Sequence, residues 1–304
     1  MPTEWITPDG VTLSLDQDPR WALQNMSGHG APDTDLLTAG TPDRDERQAL
    51  HAAAQPRLIS LTLRIQGDTL AAYETNRAAL AAAFAPWRDA VTRARPGILA
   101  LTLADGRRRS LRAFPRQGLA WASGRQRGSR TVESVLLEAP DPFWYAPVPL
   151  TGALTILGPG NLRFNALDEL GFPAAFGADT PSVVATITNP GTVRTFPVFT
   201  VAGPTVNPSF RLGVSGHTIA FALTVPTGLT LRLTAGAQPD GSADTPRALL
   251  IDDLGGESNV LGALRSGSRF WALGPGAYTV IVSQDSPAAG TVVSYQFFQR
   301  EVAV

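Results

Sequence analysis

A single stripe of helical period stands in a chain whose other patterned segments alternate with period two, and that contrast sets the fold class. Tyr73, Leu80 and Trp87 recur every seven residues, with Leu70 and Phe84 beside them. Asp68 is a candidate N-cap and Pro86 blocks smooth continuation, so the spacing predicts a helix over about residues 69–85, favoured by its alanines. Around it the pattern is that of half-buried strands. Leu61, Leu63 and Ile65 alternate with Thr62, Arg64 and Gln66. Leu99, Leu101 and Leu103 share a face before the two-residue turn Asp105-Gly106, and RRRSLRAF returns as the second arm of a hairpin. GLAWAS and RTVESVLLEA supply two more strands, and Val11, Leu13 and Leu15 an early one after Pro8-Asp9-Gly10.

APDPFWYAP then stops regular structure with Pro140, Pro142 and Pro147, which places a domain boundary after it: 1–148 and 149–304. The second part has no helical stripe. SVVATITN, RTFPVFTVAG, HTIAFALTV, LTLRLTA, RALLIDD, AYTVIVSQ and TVVSYQFFQ alternate at short spacing, with Asn189-Pro190-Gly191, Pro226-Thr227-Gly228 and Gly274-Pro275-Gly276 as turns. About eight such strands predict an all-β jelly-roll sandwich. The chain is therefore read as mainly β: an N-terminal α+β, split-barrel-like domain with one helix, followed by a C-terminal all-β sandwich. Residues 25–56, polar and rich in Gly, Asp and Pro, read as a long loop or a projecting hairpin.

Composition narrows the chemistry. There is no Cys, and the three His (His29, His51, His217) are far apart, so no metal-ligand spacing exists. A calcium site at Asp252-Asp253 is disfavoured because calcium needs six to eight oxygens. Ser215 lies beside His217 in GVSGH, but the Gly-x-Ser-x-Gly elbow and its following helix are missing. GPGNLR has no Lys and no helix behind it, so no phosphate loop is read and no cofactor is expected. The net charge of −1 gives no overall attraction to nucleic acid or an acidic membrane. The first residues lack a signal peptide's basic and apolar regions and no apolar run reaches membrane-spanning length, so synthesis in a cytoplasm is expected.

Charge is nevertheless uneven: from Arg88 to Arg130 there are eleven Arg and two acids. Arg107, Arg108 and Arg109 form a basic knot on the hairpin, read as a solvated or intersubunit salt-bridge strip because no aromatics interleave for base stacking. Asp43, Asp45 and Glu46, with Asp33 and Asp35, are candidate opposites for them across an interface between copies. Asp141, Phe143, Trp144 and Tyr145 are candidate interdomain hinge residues, since three consecutive aromatics cannot face one side of a strand; the alternative is that they finish the first core. Phe270, Trp271 and Tyr278 are weighed as a sugar platform against the more frequent role of core filling.

The order strand, helix, hairpin, strands, Asp-Pro-aromatic element and sandwich resembles the distal tail protein family of long-tailed siphophages. Three segments carry the likeness: Glu138 to Tyr145 as the element closing the first domain; GFPAAFG with TITNPGTVRTFPVFTVAGPTVNPSF as the opening of the second; and SRFWALGPGAYTVIV as a late Pro-Gly turn into a strand. The likeness runs from about Leu58 to Val282. The chain departs from the family at Ala277, where Asn is common, and residues 25–56 align with nothing. The resemblance implies a ring, usually hexameric, formed by the first domain around an open lumen, and a galectin-like sandwich outside it. It implies copies of this chain, a tail tube protein, a tail hub and receptor-binding parts as partners, a place in the virion's tail tip, and no catalysis. Carbohydrate adhesion through the sandwich is the alternative.

Overall fold

The computed structural model describes residues 1–40, 47–85, 87–88, 94–117, 119, 130–156, 181–285 and 291–304. Contacts divide the chain into two compact units: residues 1–147 with 300–304, and residues 148–299. The sequence boundary assigned 300–304 to the second domain. The structure returns them to the first, so the second unit is an insertion entered after Pro147 and left after Gln299.

The first unit holds β1 (Thr3–Ile6), β2 (Thr12–Ser14), β3 (Trp21–Ser27), β4 (Thr34–Gly40), β5 (Arg47–Ala54), β6 (Arg57–Gln66), α1 (Leu70–Ala83), β7 (Trp87–Arg88), β8 (Ala94–Arg95), β9 (Gly97–Thr102), β10 (Arg108–Gln117), β11 (Arg130–Ala139) and β12 (Trp144–Tyr145). Its main sheet runs β2-β1-β9-β10-β11-β6-β3, antiparallel throughout. β10 joins the two halves of this sheet: residues 108–113 pair with β9, and from Phe114 onward the strand pairs with β11. Pro115 sits where the register with β11 shifts, the kind of place at which a strand tolerates a residue without an N–H. Among the described residues β4 and β5 pair only with each other, so residues 25–56 contain a two-stranded ribbon. Of the GLAWAS strand, all but Leu119 lies outside the described residues.

The inward rows of β6 (Ile59, Leu61, Leu63, Ile65), β9 (Leu99, Leu101) and β11 (Val135, Leu137) meet Trp5, Trp21 and the stripe of α1 in one core. Trp5 fixes the helix end: its indole N–H donates to Ala83 O at 2.8 Å, and its ring stacks on Phe84 at 5.1 Å. Only a glycine fits at position 97, because a Cβ there would lie 2.3 Å from the Trp5 ring. The helix begins one residue later than expected. Thr69, with extended φ −128°, is the N-cap and its Oγ1 accepts from Ala72 N. Leu70, 56% exposed, is outside the stripe, which consists of Tyr73, Leu80, Ala83 and Phe84. The Trp87 side chain lies outside the described residues.

Glu133 takes a core-facing position on β11, and burial pushes its carboxyl above the ordinary glutamate value, although Arg77 and a bond from Thr131 pull the other way. A raised folded-state value means that the folded chain binds the extra proton. This contribution to stability is therefore full below the ordinary glutamate range and is lost as pH rises through the raised value. Glu133→Gln is expected to raise the melting temperature modestly at pH 7 and leave it unchanged near pH 4, as read by scanning calorimetry at the two pH values.

In the second unit, β13 (Leu150–Ile156), β14 (Ser182–Asn189), β15 (Val198–Ala202), β16 (Thr205–Val206), β17 (Ser209–Leu212), β18 (Thr218–Ala220), β19 (Thr224–Val225), β20 (Thr230–Thr234), β21 (Arg247–Ile251), β22 (Glu257–Asn259), β23 (Gly276–Ser283) and β24 (Thr291–Phe297) form two principal sheets. One runs β13-β24-β15-β20-β21-β22 and the other β14-β23-β17-β18, while β16 and β19 make a small ribbon. Phe199, Val201, Leu231 and Leu233 of the first sheet share a core with Phe210, Ile219, Val280 and Val282 of the second, and Phe199 meets Phe210 at 4.8 Å. This is the sandwich that alternation predicts. No helix among the described residues is long and apolar enough to cross a membrane.

Candidate functional site

The Arg-rich hairpin β9–β10 turns at Asp105-Gly106, where Gly106 adopts φ +81°. Beyond it, strand alternation sends neighbouring arginines to opposite faces. Arg108 reaches Glu4 on β1 at 2.7 Å, while Arg107 and Arg109 point toward a short strand, β25 (Arg300–Glu301), that pairs with β12. Arg107 is held by Asp105 at 2.6 Å and lies 3.8 Å from Glu301; both Arg107 and Asp105 are exposed. Bonds from the Arg107 backbone and side chain hold the Asp105 carboxyl below its ordinary range. Arg109 is buried. Its guanidinium grips the Glu301 carboxylate in a two-pronged pair, Nε to Oε2 at 2.9 Å and Nη2 to Oε1 at 2.6 Å, with the Arg109 side chain 4% exposed and that of Glu301 13%. The three arginines, read as a solvated or intersubunit strip, pair within their own chain with Asp105, Glu4 and Glu301. Asp43, Asp45 and Glu46 lie outside the described residues.

A second buried arginine organises the same region. Arg57, at the start of β6, donates from Nε to Pro142 O (2.6 Å), from Nη1 to Gly28 O (2.9 Å) and Gly30 O, and from Nη2 to Val302 O (2.7 Å). Burial lowers its basicity without removing its charge. Its guanidinium also lies 5.8 Å from the Trp144 ring centre. Gly28 can present its carbonyl here because it has φ +86° and no Cβ, which would fall 2.0 Å from Leu58 O.

The aromatic segment gathers at this place. Trp144 belongs to the first core and Tyr145 is buried with it. Asp141 accepts from Arg300, whose guanidinium stands 5.0 Å over Phe143. Through these contacts Asp141, Phe143, Trp144 and Tyr145 close the core of the first unit and receive residues 300–304. Sequence reasoning missed Arg57, Glu301 and Arg300, because their partners lie far along the chain and no local pattern marks them.

In the second unit Trp271, one of the three aromatics weighed as a sugar platform, takes the core-filling role. Trp271 is buried, donates from Nε1 to Phe210 O at 3.2 Å, and meets Phe199 edge-on at 5.6 Å. Phe270 and Tyr278 are half-buried against the same core. A ring so enclosed cannot stack on a sugar. Asn189 is another buried polar group: it accepts from Gly191 N and donates to Val193 O and Leu273 O, which locks the Asn-Pro-Gly turn. Ser215 Oγ accepts the His217 backbone N–H within a hairpin turn, and Asp252 accepts from Leu254 N and Gly256 N. Among the described residues no three His, Cys, Asp or Glu side chains group to hold a metal ion. What the first unit assembles is a set of charged and carbonyl-binding groups suited to holding a peptide segment.

No protein-family model matches the chain, and no curated protein matches its sequence. Solved structures do match its fold. The Dit protein (gp 19.1) of phage SPP1, described as a paradigm of the hub adsorption apparatus in phages infecting Gram-positive bacteria, superposes with a TM-score of 0.65 at 12% identity, covering 99% of each chain. A chain of the phage P2 baseplate in its activated conformation with Ca matches with a TM-score of 0.54 at 8% identity, covering 100% of both. The corresponding baseplate with Sr gives 0.53 at 8% identity, covering 100% of this chain and 99% of that one.

Proposed function

We propose that this chain, which has the siphophage distal tail protein fold, is a structural subunit of a phage tail tip that acts by forming a ring. The observation that carries this reading is the full-length match: the fold is shared over essentially the whole chain with the Dit protein of phage SPP1 and a chain of the phage P2 baseplate. In the ring reading, six copies of the first unit surround a lumen, the tail tube protein stacks on one face and the hub on the other. The sandwich supports receptor-binding parts, and the protein resides in the virion.

The first unit has what a closed ring requires, two different surfaces that can meet head to tail. Among the described strands of its main sheet, β2 is the terminal strand at one end and β3 at the other. Pairing β3 of one copy with β2 of the next would satisfy backbone groups at both. Ring formation makes no bond and breaks none, so the role is geometric. Native mass spectrometry tests it: the expected species is six times the 32.1 kDa chain. A single copy at every concentration overturns the reading. The burial of Trp271 makes carbohydrate adhesion the weaker alternative.

A further inference from the structure

Residues 300–304 reach the first unit only after the whole sandwich has been traversed, yet they fill a place there that is built like a ligand site. β25 adds to β12 as an antiparallel strand, Trp144 opposite Glu301 and Tyr145 opposite Arg300. Four of the five residues, all but Ala303, meet a group of the first unit. Arg300 is met by the Asp141 carboxylate and the Phe143 ring, and Glu301 by the buried fork of Arg109. The carbonyl of Val302 is met by Arg57, and Val304 packs against the core. Backbone pairing with side-chain pockets at alternate positions is how folded domains recognise extended peptides.

We infer that the first unit carries a strand-addition slot specific for an Arg-Glu pair in an extended segment, and that residues 300–304 of the same chain are its resident ligand. Arg109 reads the glutamate, Asp141 and Phe143 read the arginine, and Arg57 reads the backbone. With the slot empty, Arg109 is buried without its carboxylate and Arg57 loses one of its four carbonyls. The unit then closes fully only once the inserted sandwich has been made and the chain has come back. This slot rests on contacts within one chain. Its consequence for assembly rests on the ring reading: a ring of such units would form only from chains whose slot is filled.

The test uses the full chain with a protease recognition sequence between Gln299 and Arg300, folded and then cut. The probes are the peptides Arg-Glu-Val-Ala-Val and Arg-Ala-Val-Ala-Val, each labelled for fluorescence anisotropy. After the cut segment is removed by dilution and gel filtration, the melting temperature is expected to fall by several degrees. The first peptide should restore it and bind at least ten-fold more tightly than the second. If the cut segment stays with the protein through gel filtration, the slot holds it without a tether, which also supports the proposal. An unchanged melting temperature after its removal, or equal binding of the two peptides, overturns it. Arg109→Met in the same cut protein should abolish the preference for glutamate; a preference that survives also overturns it. Native mass spectrometry of the emptied protein is a separate readout. Intact rings there refute the assembly consequence, and an uncut chain that never forms rings refutes the ring reading; the peptide measurements stand apart from both.

Discussion

Arg57→Met is expected to lower the unfolding free energy by about 3 kcal/mol or more, measured by urea denaturation followed through tryptophan fluorescence. The size follows from what the guanidinium does. It sits 2% exposed and donates to the carbonyls of Pro142, Gly28, Gly30 and Val302. Each buried acceptor left without a donor costs roughly 1–3 kcal/mol, so even partial rehydration leaves a large loss. Methionine keeps much of the side-chain volume, which confines the effect to hydrogen bonding. Arg57→Lys should recover less than half of the loss, because an ammonium on a flexible stem cannot present the planar fork that spans these carbonyls. A loss under about 1 kcal/mol for Arg57→Met would show that water reaches them freely.

Glu301→Ala is expected to cost about 3–5 kcal/mol, the range for stranding one member of a buried ion pair. The stranded group is the Arg109 guanidinium, which has little access to water. Arg109→Met combined with Glu301→Leu should be much less harmful than Glu301→Ala, because removing both charges ends the desolvation penalty together with the attraction. A double-mutant cycle on the pair should therefore return a large coupling. Arg107 supplies the contrast two residues away: its pair with Asp105 is exposed on both sides, where solvent screens the charges and little net stability results. If Glu301→Ala proves as mild as an exposed pair, the Arg109–Glu301 grip is not closing the unit.

How far these features could be read from the chain alone depended on how local their causes are. The α1 stripe was legible because Tyr73, Leu80 and Phe84 sit at helical spacing within one element. β14 coincides with the alternating run SVVATITN for the same reason. Thr69 and Asp68 are both good capping residues, and only the folded backbone angle at Thr69 and its bond from Ala72 N separate them. β1 has four residues, too few for alternation to stand out. The arginine knot was visible but not its meaning. Alternation says that Arg108 faces away from Arg107 and Arg109, and nothing local says which face is buried. The deciding partner, Glu301, lies 192 residues on. Trp271 was ambiguous because a tryptophan near a turn can as well line a surface as fill a core. Its position against Phe199 and Phe210 comes from the pairing of distant strands.

On the proposed ring reading, the same non-local contacts would connect fold to assembly. A sheet unit with two unlike terminal strands is suited to closure into a ring, and the strand that returns after the sandwich completes that unit. Negative-stain images of the purified chain test this most directly. The account predicts particles with six-fold symmetry and a stain-filled central hole. Compact single particles without a hole, persisting at high protein concentration, would contradict it.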